Sequence, residues 1–230
     1  MESEQKNLQF SASRLQRPNR IGLFGGTFDP IHLGHLILAE TAFEKLKLDQ
    51  LILIPAKISP YKTNLPPAAL AEDRVAMIKL AIEKKNNWII DTRELFRSGP
   101  SFTIDTVKEL KQEHLEDRLF FLIGEDQLAG LSGWKESEEL QKLVSFVVLS
   151  RRVGSGIEFK KNLSFQNSMT DPILRKSKPD PNGIFLDRCI DISSTEIRER
   201  LAKNQNVEYL LPKTIYAYIK NKSLYQKNSY

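Results

Sequence analysis

Hydrophobic residues in this chain form short runs that alternate with segments of helical periodicity. Short apolar runs bounded by glycine, proline or polar residues predict buried strands, whereas apolar residues repeating at helical spacing predict helices. The predicted strands are Ile21–Phe24, Gln50–Pro55, Trp88–Ile90, Leu119–Gly124, Val144–Leu149, Ile184–Leu186 and Cys189–Ile192. The predicted helices cover 36–43 and 68–84 or begin near Ser101, Ser193 and Pro212. This alternation predicts an α/β fold, an open parallel sheet with helices on both faces.

The chain of 230 residues is long enough for one such domain, which we place at 20–230. Residues 1–19 are polar and mixed in charge, and we expect a loose extension there. Between 153 and 183 the composition shifts to glycine, serine, asparagine, proline and lysine, which predicts a loop or lid excursion within the domain.

Composition narrows the partners and the compartment. The net charge of +5 suits phosphorylated small molecules, and without an arginine-rich run we expect no nucleic-acid partner. A single cysteine, Cys189, excludes an internal disulfide, and no stretch approaches the ~18 apolar residues of a membrane span. With no apolar segment near its start, the chain is expected to be cytoplasmic and to have no membrane contact.

The candidate chemistry centres on the turn that follows the first predicted strand. Gly25 and Gly26 carry no side chains that would keep an anion from the backbone, and the helix that follows directs its N-terminal N–H groups at the turn. His32 and His35 are three residues apart, so both rings project from one face of the first helical turn. Gly34 between them leaves room for a ligand. The pattern predicts a phosphate site.

Other interpretations of this turn remain open. Two histidines at this spacing can form half of a metal site, for which only His114 and Cys189 are further soft ligands, or they can be unrelated surface residues. The chain has three histidines and two of them fall in this turn, which favours a shared role. Neither a P-loop nor a Gly-x-Gly-x-x-Gly motif is present.

Several later residues are also candidates for binding. Lys62 lies in a proline-rich loop beyond the second strand, and Asp126 follows a strand end, where it can accept from a ribose hydroxyl, reach a metal-bound water or cap a helix. Ser193 is expected to cap a helix with Glu196, and Arg198 lies on its first turn. Trp134 can pack in the core or stack on a ligand.

Two stretches together resemble the paired motifs of the HxGH nucleotidyltransferases. They are the glycine–histidine turn at 25–35 and Ile192–Arg198. Within that superfamily, other stretches resemble the bacterial nicotinate-mononucleotide adenylyltransferases: Ser101–Thr106, Gly124–Asp126 with Trp134 eight residues on, Tyr209–Pro212 and Leu224–Tyr225. The likeness runs from about Arg20 to Tyr225 and implies a Rossmann-like fold.

The resemblance implies adenylyl transfer from ATP to nicotinic acid mononucleotide, giving deamido-NAD and pyrophosphate in the route to NAD. The catalytic residues that it implies are His32, His35, Lys62 and Arg198. The ATP-binding residues that it implies are Gly25, Gly26, Thr27, Phe28, Gly34, Gly124, Asp126, Ser193, Ser194, Thr195 and Arg198. The implied contacts of the acceptor are Lys62, Thr103, Trp134 and Arg152.

The implied mechanism needs neither a general base nor a dedicated metal site. The acceptor phosphate is already anionic and attacks the α-phosphorus of ATP in line, so catalysis consists of positioning and charge stabilisation. Mg²⁺ is expected to arrive with ATP, held by substrate oxygens and water.

The chain departs from the family at two places, and two other functions stay open. Tyr61 stands where the family has histidine before the loop lysine, and Val153 stands where it has proline. Another HxGH enzyme, such as phosphopantetheine adenylyltransferase, and a noncatalytic nucleotide-binding module are the alternatives. The sequence leaves open the choice between acid and amide mononucleotides and the oligomeric state.

Overall fold

The computed structural model describes residues 17–60, 66–128, 130–150, 184–187 and 190–226. Six parallel strands form one sheet: β1 Arg20–Gly26, β2 Gln50–Pro55, β3 Trp88–Ile90, β4 Arg118–Gly124, β5 Ser145–Ser150 and β6 Ile184–Asp187. The helices are α1 Leu33–Lys45, α2 Ala71–Ile82, α3 Arg93–Phe96, α4 Thr103–Glu113, α5 Glu125–Leu128, α6 Ser137–Leu143, α7 Ser194–Ala202 and α8 Lys213–Asn221. Short 3₁₀ turns occur at Leu131–Gly133 and Glu208–Leu210.

The strand order is β3-β2-β1-β4-β5-β6. The chain therefore builds outward from β1 to β3 and returns to place β4 on the other side of β1. Such a reversal opens a crevice at the carboxyl ends of the strands, where open α/β sheets bind ligands. Here the crevice lies at Gly25 and Gly26, the last residues of β1.

Two hydrophobic cores cover the two faces of the sheet. In β4, Phe120 and Leu122 face one core, and Leu119, Phe121 and Ile123 face the other. The first core also holds buried residues of α1, α2, α7 and α8, and the second holds those of α4 and α6. This arrangement confirms the predicted parallel sheet with helices on both faces.

Three local predictions differ from the structure. Helix α2 begins later than predicted, at Ala71, because the backbone N–H groups of Ala68 and Ala69 donate to the Asp29 carboxylate. The last predicted strand fails at 190–192, which has no regular structure and leads directly to α7. Ser193 caps α7 as predicted, but the carboxylate of Glu196 pairs with Arg200 instead of completing the capping box.

The first described residues, 17–19, contact the body of the domain. The guanidinium of Arg17 pairs with the Asp49 carboxylate at 2.7 Å, and the N–H of Arg118 donates to the carbonyl of Asn19 at 2.8 Å. Residues 1–16 and the predicted excursion at 153–183 lie outside the description. No helix within the described ranges is long and apolar enough to cross a bilayer.

Candidate active site

The turn between β1 and α1 places two imidazole rings at the start of the helix. His32 is the N-cap residue of α1, and its Nδ1 accepts from the backbone N–H of His35 at 3.3 Å. His35 returns this interaction, because its Nδ1 accepts from the backbone N–H of His32 at 3.3 Å. The rings are stacked with their centroids 3.7 Å apart. The two histidines thus lie side by side, as their spacing predicts.

These reciprocal caps decide which ring nitrogen carries the proton. Because both Nδ1 atoms act as acceptors, each neutral imidazole holds its proton on Nε2. His32 is buried, with 2% exposure, and His35 is partly buried against the rings of Phe24 and Phe28. Each ring therefore has Nε2–H as its donor, a group of the kind that binds phosphate oxygens.

Gly34 allows the His32 ring to pack close to the helix backbone. A Cβ at Gly34 would lie 3.0 Å from Nδ1 and Cε1 of His32 and 3.4 Å from Cβ of Ile192. The sequence pattern predicts room for a ligand beside Gly34, but the structure fills that space with the His32 ring and Ile192. At Gly26, a Cβ would lie 3.2 Å from Cζ of the Phe28 ring. Both glycines allow side chains of the turn to pack on its own backbone.

The second motif lies directly against the first. Ser194 donates its hydroxyl to the carbonyl of Pro30 at 3.0 Å, and Arg198 donates Nη1 to the carbonyl of Asp29 at 2.7 Å. Nη2 of Arg198 also donates to Oγ1 of Thr195, at 3.3 Å. The two stretches are therefore joined by hydrogen bonds, although more than 160 residues separate them in sequence.

Asp29 and Arg74 hold the turn from beneath. Both side chains are buried, at 3% and 2% exposure. Oδ2 of Asp29 accepts from Ala68 N–H at 2.7 Å, and Nη1 of Arg74 donates to the carbonyl of Thr27 at 2.7 Å and to that of Ala56 at 2.8 Å. Burial lowers the pKa of Arg74, although nearby Asp29 opposes this shift. Asp29 and Arg74 thus hold the backbone of the turn through hydrogen bonds, and their opposite charges lie close to each other.

A cavity of about 370 Å³ opens on the other side of the glycine turn. Its lining includes Gly25, Gly26, Thr27, Phe102, Thr103 and Trp134. The cavity therefore shares the glycine turn with the histidine and Arg198 groups, yet lies on the face of the sheet that carries α4.

Trp134 contributes both to the second core and to the cavity wall. Its ring lies edge-on to Phe121 and Phe146, with centroid distances of 6.1 and 6.3 Å. The same residue lines the cavity. The two interpretations of Trp134 in the sequence are thus compatible, because packing on one side fixes an indole that borders the cavity on another.

The N-terminus of α4 also borders the cavity. Its N-cap residue, Phe102, makes no side-chain cap, and Thr103 and Ile104 line the cavity beside it. The helix begins close to Ser101, as predicted, but Ser101 does not cap it. The Ser101 hydroxyl instead accepts from the N–H of Lys57 at 3.0 Å. Lys57 belongs to the segment that follows β2, which passes beside Ser101.

A buried carboxylate that lines the same cavity supports that helix terminus. Glu94, with 7% exposure, accepts from the Thr106 hydroxyl at 2.7 Å, and Arg97 donates to the same hydroxyl oxygen at 2.8 Å. Burial raises the pKa of Glu94, while hydrogen bonds from Thr106 and Ser101 act in the opposite direction. This network ties the short α3 to the first turn of α4.

The other predicted residues fall in several places. Gly124 ends β4, and Asp126 belongs to α5, with its side chain outside the description. Lys62, Tyr61, Arg152 and Cys189 also lie outside the described residues. His114 pairs with Asp117 at 2.9 Å just before β4 begins, at the opposite end of the strands from His32. That separation contradicts a metal site shared by His32, His35 and His114.

Sequence reasoning missed three residues that shape the site: Asp29, Arg74 and Glu94. Asp29 carried one usable signal, a lone carboxylate between Phe28 and Pro30 in an otherwise uncharged turn. The others carry no local signal, because their partners are distant in sequence: Arg74 and its acceptor Thr27 are 47 residues apart.

Comparison with known proteins places this geometry in context. Residues 23–200 match the cytidylyltransferase-like family. Proteins named probable nicotinate-nucleotide adenylyltransferase from Opitutus terrae and Shouchella clausii are each 38% identical over 211 residues, covering 90% and 91% of this chain and 98% of each relative. A solved nicotinic acid mononucleotide adenylyltransferase of Plasmodium falciparum, complexed with NaAD, matches 90% of this chain and 97% of its own at 21% identity, with a TM-score of 0.63.

Proposed function

Since this chain belongs to the nicotinate-nucleotide adenylyltransferases, within the cytidylyltransferase-like family, we propose that it transfers the adenylyl group of ATP to nicotinic acid mononucleotide. The observation that carries this proposal is the position of the glycine turn. On one side it meets the histidines and Arg198, and on the other it borders the cavity that contains Thr103 and Trp134. A phosphoryl group at the turn is then within reach of two substrates.

The chemistry at the turn is a displacement at phosphorus. An oxygen of the acceptor 5′-phosphate forms a bond to the α-phosphorus of ATP, the bond from that phosphorus to the bridging oxygen breaks, and pyrophosphate leaves with the electron pair. No proton has to be removed from the nucleophile, because the acceptor phosphate is an anion at neutral pH. Catalysis therefore depends on alignment and on stabilising the equatorial oxygens.

The phosphate-binding roles follow from the donors at the turn. Nε2–H of His35 binds an oxygen of the α-phosphoryl group in the transition state, and His32 donates beside it. Arg198, with the N-terminus of α7 at Ser194 and Thr195, binds the β- and γ-phosphates. Further backbone contacts to ATP are proposed from Gly25, Gly26, Thr27 and Phe28, with Gly124 and Asp126 at the nucleoside.

The cavity holds the pyridine end of the acceptor. The indole of Trp134 borders the cavity and offers a stacking face, and the uncapped N–H groups near Thr103 suit a carboxylate. Glu94 also lines the cavity, and it keeps that helix terminus in place through Ser101 and Thr106. Lys62 and Arg152 are proposed as further contacts of the acceptor phosphate.

Mg²⁺ accompanies ATP in this proposal. Among the residues described, no group of three or more His, Cys, Asp and Glu side chains is placed to hold a metal ion. The nearest carboxylate to the turn, Asp29, is occupied by N–H and O–H donors on both oxygens. The ion would therefore be held by phosphate oxygens and water, where it neutralises charge on the leaving group.

A pyrophosphate-release assay tests the proposed function directly. The protein is incubated with ATP and Mg²⁺ and with nicotinic acid mononucleotide, nicotinamide mononucleotide or phosphopantetheine in parallel. We expect release with nicotinic acid mononucleotide, and the comparison with the amide measures the preference that the sequence leaves open. Turnover with phosphopantetheine alone would overturn the acceptor, and no turnover with any acceptor would favour a noncatalytic module.

Replacing Trp134 by alanine is expected to weaken binding of the acceptor and to leave ATP binding nearly unchanged. Loss of a stacking face should raise KM for the mononucleotide about tenfold while KM for ATP changes less than about twofold. Steady-state kinetics with each substrate varied in turn measure both values. Trp134→Phe is the control, because phenylalanine keeps an aromatic face and the packing on Phe121. An equal rise in both KM values for Trp134→Ala would contradict the placement of the pyridine.

A further inference from the structure

The segment that ends the described chain is attached to the body of the protein by two tyrosine hydroxyls. Tyr218, on α8, donates to Oδ1 of Asp73 at 2.8 Å, and Tyr225, just beyond α8, donates to Oδ1 of Asp29 at 2.7 Å. Both hydroxyls therefore bind a carboxylate at nearly the same distance. They differ in what the carboxylate touches.

Tyr225 reaches the active-site turn itself. Its backbone adopts a left-handed conformation with φ of 63°. Asp29, its acceptor, also binds the N–H groups of Ala68 and Ala69, at 2.7 and 3.1 Å. The Asp29 carboxylate thus ties the residues before α2 and the segment after α8 to the turn.

The backbone of the same residue contacts the phosphate-binding arginine. The carbonyl of Asp29 accepts from Nη1 of Arg198, and the carbonyl of the next residue, Pro30, accepts from Ser194. A shift of Asp29 therefore moves the acceptors that orient Arg198 and the start of α7. Tyr225 is connected to the ATP phosphates through one carboxylate and its own backbone.

Tyr218 has no such connection. Asp73 lies in the first turn of α2, on the side of that helix that packs against α8. Among the described residues, the Asp73 carboxylate accepts from Tyr218 and makes no hydrogen bond with the turn at 25–35. The Tyr218 bond therefore fastens α8 to α2.

We propose that Tyr225 is a positioning residue for adenylyl transfer, which acts by holding Asp29 and hence the turn that orients Arg198 toward ATP. The inference rests on the proposed function for the identity of the bound nucleotide. Removing the hydroxyl leaves Asp29 with one donor fewer in a buried position, and the turn is then held less firmly against α7. The acceptor cavity meets the turn only at Gly25–Thr27, before Asp29, where Arg74 holds the carbonyl of Thr27.

The two tyrosines form a matched pair for the test. Tyr225→Phe and Tyr218→Phe each delete one hydroxyl that donates to a carboxylate, and both keep the ring that packs against the first core. For each variant and for the unmodified protein we would measure the thermal midpoint of unfolding, kcat, KM for ATP, KM for nicotinic acid mononucleotide, and the affinity for ATP by calorimetry without acceptor.

We expect Tyr225→Phe to lower kcat/KM for ATP about tenfold and to weaken ATP binding several-fold, with KM for the acceptor changed less than about twofold. Tyr218→Phe should leave kcat and both KM values within about twofold. It should lower the thermal midpoint of unfolding about as much as Tyr225→Phe does. Equal kinetics in the two variants, or a loss in Tyr225→Phe that affects both substrates alike, would overturn the inference.

The calorimetric measurement of ATP affinity distinguishes a failure of this inference from a failure of the proposed function. If the unmodified protein released no pyrophosphate, the proposed reaction would fail, yet weaker ATP binding in Tyr225→Phe alone would still support positioning of the turn. Normal turnover with equal ATP affinity in both variants would instead overturn the positioning role and leave the reaction in place.

Discussion

Replacing His35 by alanine is expected to lower kcat by about 10²–10³-fold without loss of the fold. A preorganised donor to a developing phosphoryl charge typically contributes this much, and the neutral His35 ring offers its donor on Nε2. Pyrophosphate release under saturating ATP and mononucleotide measures the loss, with circular dichroism to check the fold. Near-normal turnover in this variant would remove His35 from the catalytic group.

Asparagine at position 35 separates the two roles of the imidazole. Its Oδ1 can take the place of Nδ1, so it keeps the acceptor for the His32 N–H but offers nothing at the position of Nε2. His35→Asn should therefore be as inactive as His35→Ala and more stable, by up to the ~1 kcal/mol of a helix cap. An active His35→Asn protein would mean that the ring matters only as a cap.

Replacing Arg74 by methionine is expected to lower the free energy of unfolding by about 3 kcal/mol. Methionine fills much of the same volume, but the carbonyls of Thr27 and Ala56 lose the donor that they share, and the charge beside buried Asp29 disappears. Urea unfolding at neutral pH measures the change. Turnover should also fall, because Thr27 belongs to the turn at the reacting phosphoryl group.

Arg17→Met provides the matched control for this experiment. Arg17 also makes two hydrogen bonds, both to the Asp49 carboxylate, but its side chain is 63% exposed. Solvent-exposed pairs contribute about 0–1 kcal/mol, so this variant should unfold at nearly the same urea concentration as the unmodified protein. Similar losses in the two variants would show that burial is not what makes Arg74 important.

Local patterns in the sequence were sufficient for most of the sheet. The strands 50–55 and 88–90 begin and end as predicted, because short apolar runs closed by proline or polar residues have few other stable conformations. The same patterns misplaced the start of α2 and the last strand. In both places long-range contacts decide the outcome: Asp29 captures the N–H groups before α2, and Ile192 packs against Gly34.

The candidate site also combines features that the sequence predicts with features that only long-range contacts decide. The sequence shows a glycine turn with two histidines three residues apart, and helical geometry is enough to bring those rings together. It does not show that the His32 ring packs close to Gly34, or that Ser101 binds the N–H of Lys57. Those outcomes depend on residues that are distant in sequence but adjacent in the folded structure.

By itself, then, the sequence determined the order of strands and helices and the glycine–histidine turn, since each depends on residues near one another along the chain. The resemblance to a known family paired this turn with Ile192–Arg198. Only the tertiary structure decided how the turn is held, through Arg74, Arg198 and Tyr225, and that it borders the cavity of Thr103 and Trp134. The physical reason is that buried polar groups must find hydrogen-bond partners, and the partners available to this turn come from helices at both ends of the chain.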